Sequence, residues 1–377
     1  MQAIVVSAMA CSHDRSSGSH AAPSVMQQKR APPLVPIAPK SADSEQAAGK
    51  DPLSEVLRTV KLTGALFFLV DATSPWGVEV PHAGMFGPII LPRAQHVVSY
   101  HIVLHGSGYA SVPGIPPTRF AGGDIVVFPH EDPYALVSRP GDPPEFTTDA
   151  TLQFFREMAA GRLPFVVTEG GGGPERAQFV CGFLGCDARP FNPLLESLPR
   201  LLHVKRPVGD QNDLLDRLID LTLAEAQTSR AGGECIRLRL SELIFVEVAR
   251  RYLATLGANQ TGWLSGLRDP AVGHALALLH ERPAYAWTLQ ELARQTGISR
   301  SVLADRFVHL VGYPPIQYLT RWRIQLAARM LSDGAKKVAA VGQEVGYASE
   351  AAFSRTFKRI AGVSPAGWRD RHFTPDR

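Results

Sequence analysis

Between Trp287 and Trp368 the chain writes one pattern twice, about fifty residues apart, with a single helical stretch between the copies. The first copy runs Ala293-x-x-x-Gly297, Ser299, Leu303-x-x-x-Phe307, Gly312. The second runs Gly342-x-x-x-Gly346, Ser349, Phe353-x-x-x-Phe357, Gly362. Pro315 and Tyr318 in the first correspond to Pro365 and Trp368 in the second. An internal repeat constrains the fold more than any single residue does.

The spacing is that of a helix-turn-helix. Two helices crossing steeply need a small residue where their backbones approach, which Ala293 and Gly342 supply. Four residues on, the turn needs a left-handed position, which suits Gly297 and Gly346. Ser299 and Ser349 stand where an N-cap opens the second helix. Leu303/Phe307 and Phe353/Phe357 are i, i+4 pairs that face inward. The opposite faces then carry Arg300, Ser301, Ala304, Asp305 and His309 in one copy. In the other they carry Glu350, Ala351, Ser354, Arg355, Lys358 and Arg359.

Charge is nearly balanced over the 377 residues, 39 Lys+Arg against 35 Asp+Glu. Its distribution is not. From Asp269 onward there are 15 basic and 9 acidic residues, leaving 24 and 26 for the rest. A basic module joined to a slightly acidic one suits a polyanion binder with a separate sensing or assembly domain. The four cysteines, Cys11, Cys181, Cys186 and Cys235, form neither a disulfide framework nor a zinc-site spacing. No apolar run approaches the roughly 20 residues of a membrane span, and the N-terminus lacks the basic start of a signal peptide. A cytoplasmic protein follows as the expectation.

Residues 1–50 are rich in Ala, Ser, Pro and Gln without helical or strand period, and read as a disordered leader. Pro52 to Leu62 predicts a short helix, and Gly64 to Val70 a strand. Further strands are expected at Ile89–Leu91, His96–Leu104, Gly108–Val112, Asp124–Phe128, Tyr134–Val137 and Gln178–Leu184. Even spacing of short strands between Gly-Pro joints predicts a small barrel or sandwich over 51–190. Gly170–Gly173 lacks the Lys-Ser/Thr of a phosphate loop and is expected to be a flexible surface loop.

Over 191–258 the period becomes helical, with Leu214, Leu218, Leu221 and then Ile236, Leu240, Leu243, Ile244, the two runs separated by Gly232-Gly233. Such a helix pair serves either self-association or packing against the barrel. Residues 259–268 read as a linker, and Asp269-Pro270 opens the first helix of a basic domain over 269–372.

Residues 269–372 resemble the DNA-binding domain of AraC/XylS-type transcriptional regulators. The resemblance rests on Leu289-x-x-Leu-Ala293, Gly297-Ile-Ser299, Leu303-x-x-x-Phe307, Gly312, the linker helix from Tyr318 to Leu331, Val345-Gly-Tyr347, Phe353-x-x-x-Phe357-Lys-Arg and Gly362-Val-Ser-Pro365. Residues 52–190 resemble, less specifically, the cupin-type sensor domain of some of these regulators. Pro75-Trp-Gly77, Tyr100 to Gly106, Gly123 to His130 and Asn192-Pro-Leu-Leu carry that match. Together these imply an α+β multidomain chain: an N-terminal cupin-like β-barrel, a helical connector, and a C-terminal all-α domain with two helix-turn-helix motifs.

The resemblance implies a DNA-binding transcriptional regulator, an activator by family habit, with each recognition helix in a major groove. A linker helix of about 17 residues spans roughly 25 Å, so with flanking turns one monomer reaches successive grooves roughly 34 Å apart. Base contacts are expected from Ser301, Ala304, Asp305, Glu350, Ala351, Ser354 and Arg355, and phosphate contacts from Arg300, Arg323, Lys358 and Arg359. Arg323 has an alternative role as a brace between the motifs. Two departures stand out: Gly342 replaces the family's usual Ala, and Ala304 and Asp305 stand where longer donors are common. Arg355 is the better placed residue for a bidentate guanine contact.

The implied partners are double-stranded promoter DNA, a small-molecule effector, RNA polymerase and a second copy of the chain. No membrane partner, catalytic residue, metal or cofactor is expected, and the location is the bacterial cytoplasm and its nucleoid. Metal-dependent cupins bring three imidazoles and a carboxylate together. Here His101 and His105 lie four residues apart, roughly 13 Å along a strand, and Tyr134 occupies the place of a further histidine. The competing reading is a ligand-binding or metal-dependent cupin, with His130 and Glu131 as ligands, that uses its helical domain for assembly.

Overall fold

The computed structural model describes residues 51–59, 62–142, 144–187, 189–205, 213–226, 230–257, 260–334 and 336–372. The leader expected over 1–50 lies outside them. Helix α1 (Pro52–Thr59) is opened by the Asp51 carboxylate, which accepts from the amides of Leu53 and Ser54 at 3.1 and 3.2 Å. There follow β1 (Leu62–Thr73), β2 (Gly77–Val80), α2 (Ala83–Ile90), β3 (His96–His105), β4 (Ser107–Ser111), β5 (Thr118–Ala121), β6 (Ile125–Phe128) and β7 (Tyr134–Val137). Then come α3 (Thr148–Ala159), β8 (Val166–Gly170), β9 (Arg176–Cys186), α4 (Pro193–Ser197) and β10 (Leu202–Val204). The remainder is helical. It comprises α5 (Leu214–Ala226), α6 (Gly233–Thr255), α7 (Trp263–Arg268), α8 (Pro270–Glu281), α9 (Leu289–Thr296), α10 (Arg300–Val311), α11 (Pro315–Ser332), α12 (Val338–Glu344), α13 (Glu350–Ala361) and α14 (Pro365–His372).

The strands form two sheets. One has six strands in the order β10-β6-β3-β9-β1-β8, antiparallel except for β1 beside β8. The other is the antiparallel set β2-β7-β4-β5. Because side chains alternate along a strand, β3 sends Val97 and Val103 into the space between the sheets and Val98, Tyr100 and Ile102 out the back. β9 does the same, with Phe179, Cys181 and Phe183 inward and Val180 and Leu184 outward. Burial on both faces explains why these two strands read as near-continuous apolar runs. β4 and β7, with one solvated face, alternate instead.

The back of the six-stranded sheet is covered by helices. One apolar cluster runs from Val98, Tyr100 and Leu184 through Leu194, Leu218 and Ile244 to Trp263, Leu276, Phe307 and Trp322. The cupin-like sheet and the first helix-turn-helix therefore share a core. The second motif has its own, built on Ile324, Leu331, Val341, Phe353, Phe357 and Trp368.

Three expectations change. Ile89–Leu91 is not a strand: Ile89 and Ile90 end helix α2, which His82 opens by accepting from the Gly84 amide at 3.0 Å. Pro88 falls inside that helix, whose eight residues are too few for a clear helical period. Gly171–Gly173 is the expected surface loop but a tied one, since the amides of Gly171 and Gly173 donate to the carbonyls of Pro75 and Ser74 at 2.9 and 2.7 Å. In the stretch expected as a linker, Trp263–Arg268 forms α7, with Trp263 and Leu264 buried. Helix α3 and strands β2, β5, β8 and β10 were not anticipated.

Candidate nucleic-acid interface

Each half of the C-terminal region is built as the repeat dictates. Thr288 caps α9 by accepting from the Glu291 amide at 3.1 Å. α9 ends at Gly297, whose φ of +74° is the left-handed turn residue. Ser299 then caps α10, accepting from Val302 at 3.3 Å, and Leu303 and Phe307 are fully buried. In the second motif Gly346 has φ +90°, Ser349 accepts from Ala352 at 3.3 Å, and Phe353 and Phe357 are fully buried. Gly342 is where the helices touch: a Cβ there would lie 3.0 Å from the Phe353 ring.

Helix α11 holds the two motifs apart. Its 18 residues span roughly 27 Å. Tyr318, Leu319 and Trp322 pack toward the first motif, and Ile324, Ala327, Ala328 and Leu331 toward the second. At the far end the Trp368 indole N–H donates to the Ala328 carbonyl at 3.2 Å.

With the inward faces fixed, the expected contact residues come to the surface. Arg300, Ser301 and Asp305 on α10 are exposed, with Ala304 half-buried. On α13, Glu350, Ala351, Arg355, Lys358 and Arg359 are exposed and Ser354 is half-buried. The two faces differ in free charge. Around the first motif Arg306 pairs with Asp269, Arg294 with Glu291, and Arg321 lies over the Tyr313 ring at 4.4 Å. Arg355, Lys358 and Arg359 make no ion pair among the described residues.

Arg323 stands apart from the other basic residues. Its guanidinium is half-buried and donates to the carbonyls of Pro283 and Tyr285 at 2.6 and 2.7 Å. Burial lowers its pKa, with the Tyr347 hydroxyl acting against that. Those bonds tie α11 to the segment between α8 and α9.

A second set of contacts, unforeseen in the sequence, joins the sheet-bearing half to the first motif. The Tyr313 hydroxyl donates to Glu196 at 3.1 Å, Phe191 packs edge-on against Tyr313 and Tyr318, and the Phe191 amide donates to Gln325 at 3.0 Å. A cleft of about 260 Å³ opens at this seam. Asn192-Pro193, capping α4, is the one sequence signal that pointed there.

Between the sheets, His101 reaches from β3 to the opposite sheet, its Nε2 3.0 Å from the Tyr134 hydroxyl and its Nδ1 3.2 Å from Cys181 Sγ. Burial drives the imidazole down to about 3, so it is neutral, and drives the Cys181 thiol up. Among the described residues no three His, Cys, Asp or Glu side chains are grouped to hold a metal.

A family model described as a cupin matches residues 51–254, and one described as a helix-turn-helix domain matches 292–371. The chain is similar to an AraC-like transcription regulator of Streptomyces lividans, 33% identical over 332 residues, which cover 86% of this chain and 100% of that one. The chain belongs to the AraC-like transcription regulators. It is a DNA-binding protein with a cupin domain ahead of its helix-turn-helix domain. Other relatives in the family include the regulator AlkR of Acinetobacter baylyi, 27% identical over 85% of this chain and 99% of its own. The activator RclR of Escherichia coli, named as RCS-specific, is 31% identical over 52% of this chain and 69% of its own. No described helix is long and apolar enough to cross a membrane.

Proposed function

We propose that this AraC-like regulator reads its operator with both recognition helices in unequal roles. α13 supplies the firmer grip, and α10 sets position with a lighter one. What carries this reading is the distribution of uncommitted cations. Arg355, Lys358 and Arg359 stand free on one exposed face, whereas around α10 only Arg300 does so among four arginines. Arg355 is assigned the bidentate guanine contact, with Glu350, Ala351 and Ser354 beside it in the groove. Lys358, Arg359 and Arg300 hold phosphates, and Ser301, Ala304 and Asp305 face bases in the neighbouring groove. Arg323 serves as the brace rather than as a phosphate contact, because both bonded ends of its guanidinium are occupied by carbonyls.

The cupin domain serves as effector sensor and acts through the seam at Phe191, Glu196, Tyr313 and Gln325. His101, with both ring nitrogens engaged, is assigned a structural rather than a catalytic role. Self-association is assigned to the α5–α6 pair, where Leu214 and Leu221, and Ile236 and Leu243, recur seven apart and stay exposed. The output is activation through RNA polymerase on nucleoid DNA in the bacterial cytoplasm.

Genome-wide footprinting of the tagged full-length chain tests the reading. Discrete protected promoter sites with two recognition elements about one helical turn apart are expected. Protection that tracks DNA concentration alone, with a steep salt slope and no sequence preference, would replace the reading with non-specific packaging.

A further inference from the structure

Strand β8 pairs Glu169 with Ala72 of β1, which places both side chains on the inner face of the six-stranded sheet. The alternation of β8 agrees, with Val166 and Thr168 exposed and Val167 and Glu169 turned in. Glu169 therefore borders a cavity between the sheets whose other walls include Phe68, Phe146, Phe154, Phe155, Phe179 and Phe183. Two of these rings come from α3, which packs against α2 and β2.

The carboxylate of Glu169 has no hydrogen-bond or ion-pair partner among the described residues. Desolvation pushes it up to about 7, and the neighbouring Glu145 carboxylate adds to the shift. The polar groups nearby are already spent. Thr151 donates to the Glu79 carbonyl at 2.7 Å, Glu145 accepts from the Gly170 amide at 3.0 Å, and His101 holds Tyr134 and Cys181. Arg176 and Arg139 are paired elsewhere, with Asp71 and Glu175. Glu169 is half-buried, so its unpaired carboxylate is partly desolvated and a positive group meeting it would be favourable. Phenylalanine faces attract cations by their own quadrupole and offer an anion nothing.

We propose that the effector of this regulator is an organic amine, with its ammonium against Glu169 and a compact apolar body among the phenylalanine rings. The proposal rests on the reading of the cupin domain as the effector sensor and names the class of molecule it senses. The cavity, about 30 Å³ as the side chains stand, admits an ammonium head and little more. The body of the ligand displaces Phe154, which is only half-buried, while Phe155 stays wedged between Phe86 at 4.8 Å and Phe183 at 5.2 Å. Binding thus shifts α3 against α2 and β2.

Thermal unfolding of the full chain with phenethylamine, 2-phenylethanol and phenylacetate separates the outcomes, since the three share one skeleton and differ in charge. Phenethylamine should raise the melting temperature of the wild type. It should bind Glu169→Gln at least about tenfold more weakly, the loss of a charge-assisted contact. Glu169→Gln without ligand should melt no lower than wild type at pH 7.5, which verifies its fold. Stabilisation by the alcohol or the acid but not the amine overturns the amine assignment and leaves the sensor reading in place. Equal amine affinity in wild type and Glu169→Gln also overturns it. If none of the three shifts melting, the amine assignment falls and the sensor reading is left standing.

Discussion

The backbone N–H of Phe191 donates to the side-chain oxygen of Gln325 at 3.0 Å, and both residues are buried. This single bond ties the segment behind the sheet to the helix that spaces the two reading motifs. Gln325→Leu keeps the bulk but leaves that amide without an acceptor. A loss of about 1–3 kcal/mol is expected, read as a lower urea midpoint at unchanged m-value. An unchanged midpoint would show that the amide finds another acceptor.

The two turn glycines should not respond alike to alanine. At Gly297 a Cβ meets nothing within 4 Å, so the cost is the left-handed backbone alone, about 1–2 kcal/mol. At Gly346 the same Cβ would stand 2.5 Å from the Ala284 carbonyl oxygen. Gly346→Ala should therefore be clearly the more destabilising of the pair in parallel thermal melts. Equal losses would remove the steric part of this account.

On DNA, Arg355→Ala should cost about 1–3 kcal/mol and relax one base position. Lys358→Ala should weaken all sequences evenly and flatten the salt slope by about one. Arg323→Ala should lower the melting temperature while leaving the salt slope unchanged. Competitive titrations over a salt series measure all three. A salt-slope change in Arg323→Ala would return that residue to the phosphate contacts.

Acid acts on this fold in two directions. His101 and His280 are pushed by burial from 6.5 down to about 3, so they add stability above pH 6.5 that is lost as pH falls toward 3. Glu169, raised from 4.5 to about 7, adds stability present below 4.5 that is lost as pH rises through 7. Glu169→Gln should therefore melt above wild type at pH 7.5 and lose that advantage by pH 4.5. A constant offset across the series would contradict the raised carboxyl.

The apolar positions Leu221 and Leu243 are 57% and 51% exposed on adjacent helices. Replacing both with glutamate should leave the fold intact, because neither side chain is in a core. Sedimentation velocity at micromolar concentration should then show a monomer, against the dimer expected of the wild type. Identical profiles would take self-association away from this face.

The reading motifs were legible because the repeat states its own geometry: small residue, left-handed turn, cap, inward pair. Ser349 and Phe353 fall where that pattern requires. β3 and β9 were also visible, as long apolar runs. Ile89–Leu91 misled because three apolar residues look the same in a strand and at a helix end, and the deciding His82 cap lies seven residues upstream. The exposed face of each second helix was readable residue by residue, but not which of its cations are free of ion pairs. Arg306 and Asp269 lie 37 positions apart, and no local pattern announces their pairing. Glu169 was likewise silent, since its meaning comes from phenylalanines contributed by two strands, a helix and a loop.

The apolar mass behind the six-stranded sheet includes Phe307 and Trp322, while the second motif closes around Phe353 and Trp368 on the far half of α11, at Ile324, Ala328 and Leu331. In terms of rewiring, the two halves of the reader are unequal modules. Exchanging residues 338–372 for a homologue's should change operator preference and leave the sheet-bearing half as it is, provided the α11 face at Ile324, Ala328 and Leu331 and the close approach of Gly346 to Ala284 are kept. Residues 289–312 cannot be traded without also recutting the rear wall of the six-stranded sheet.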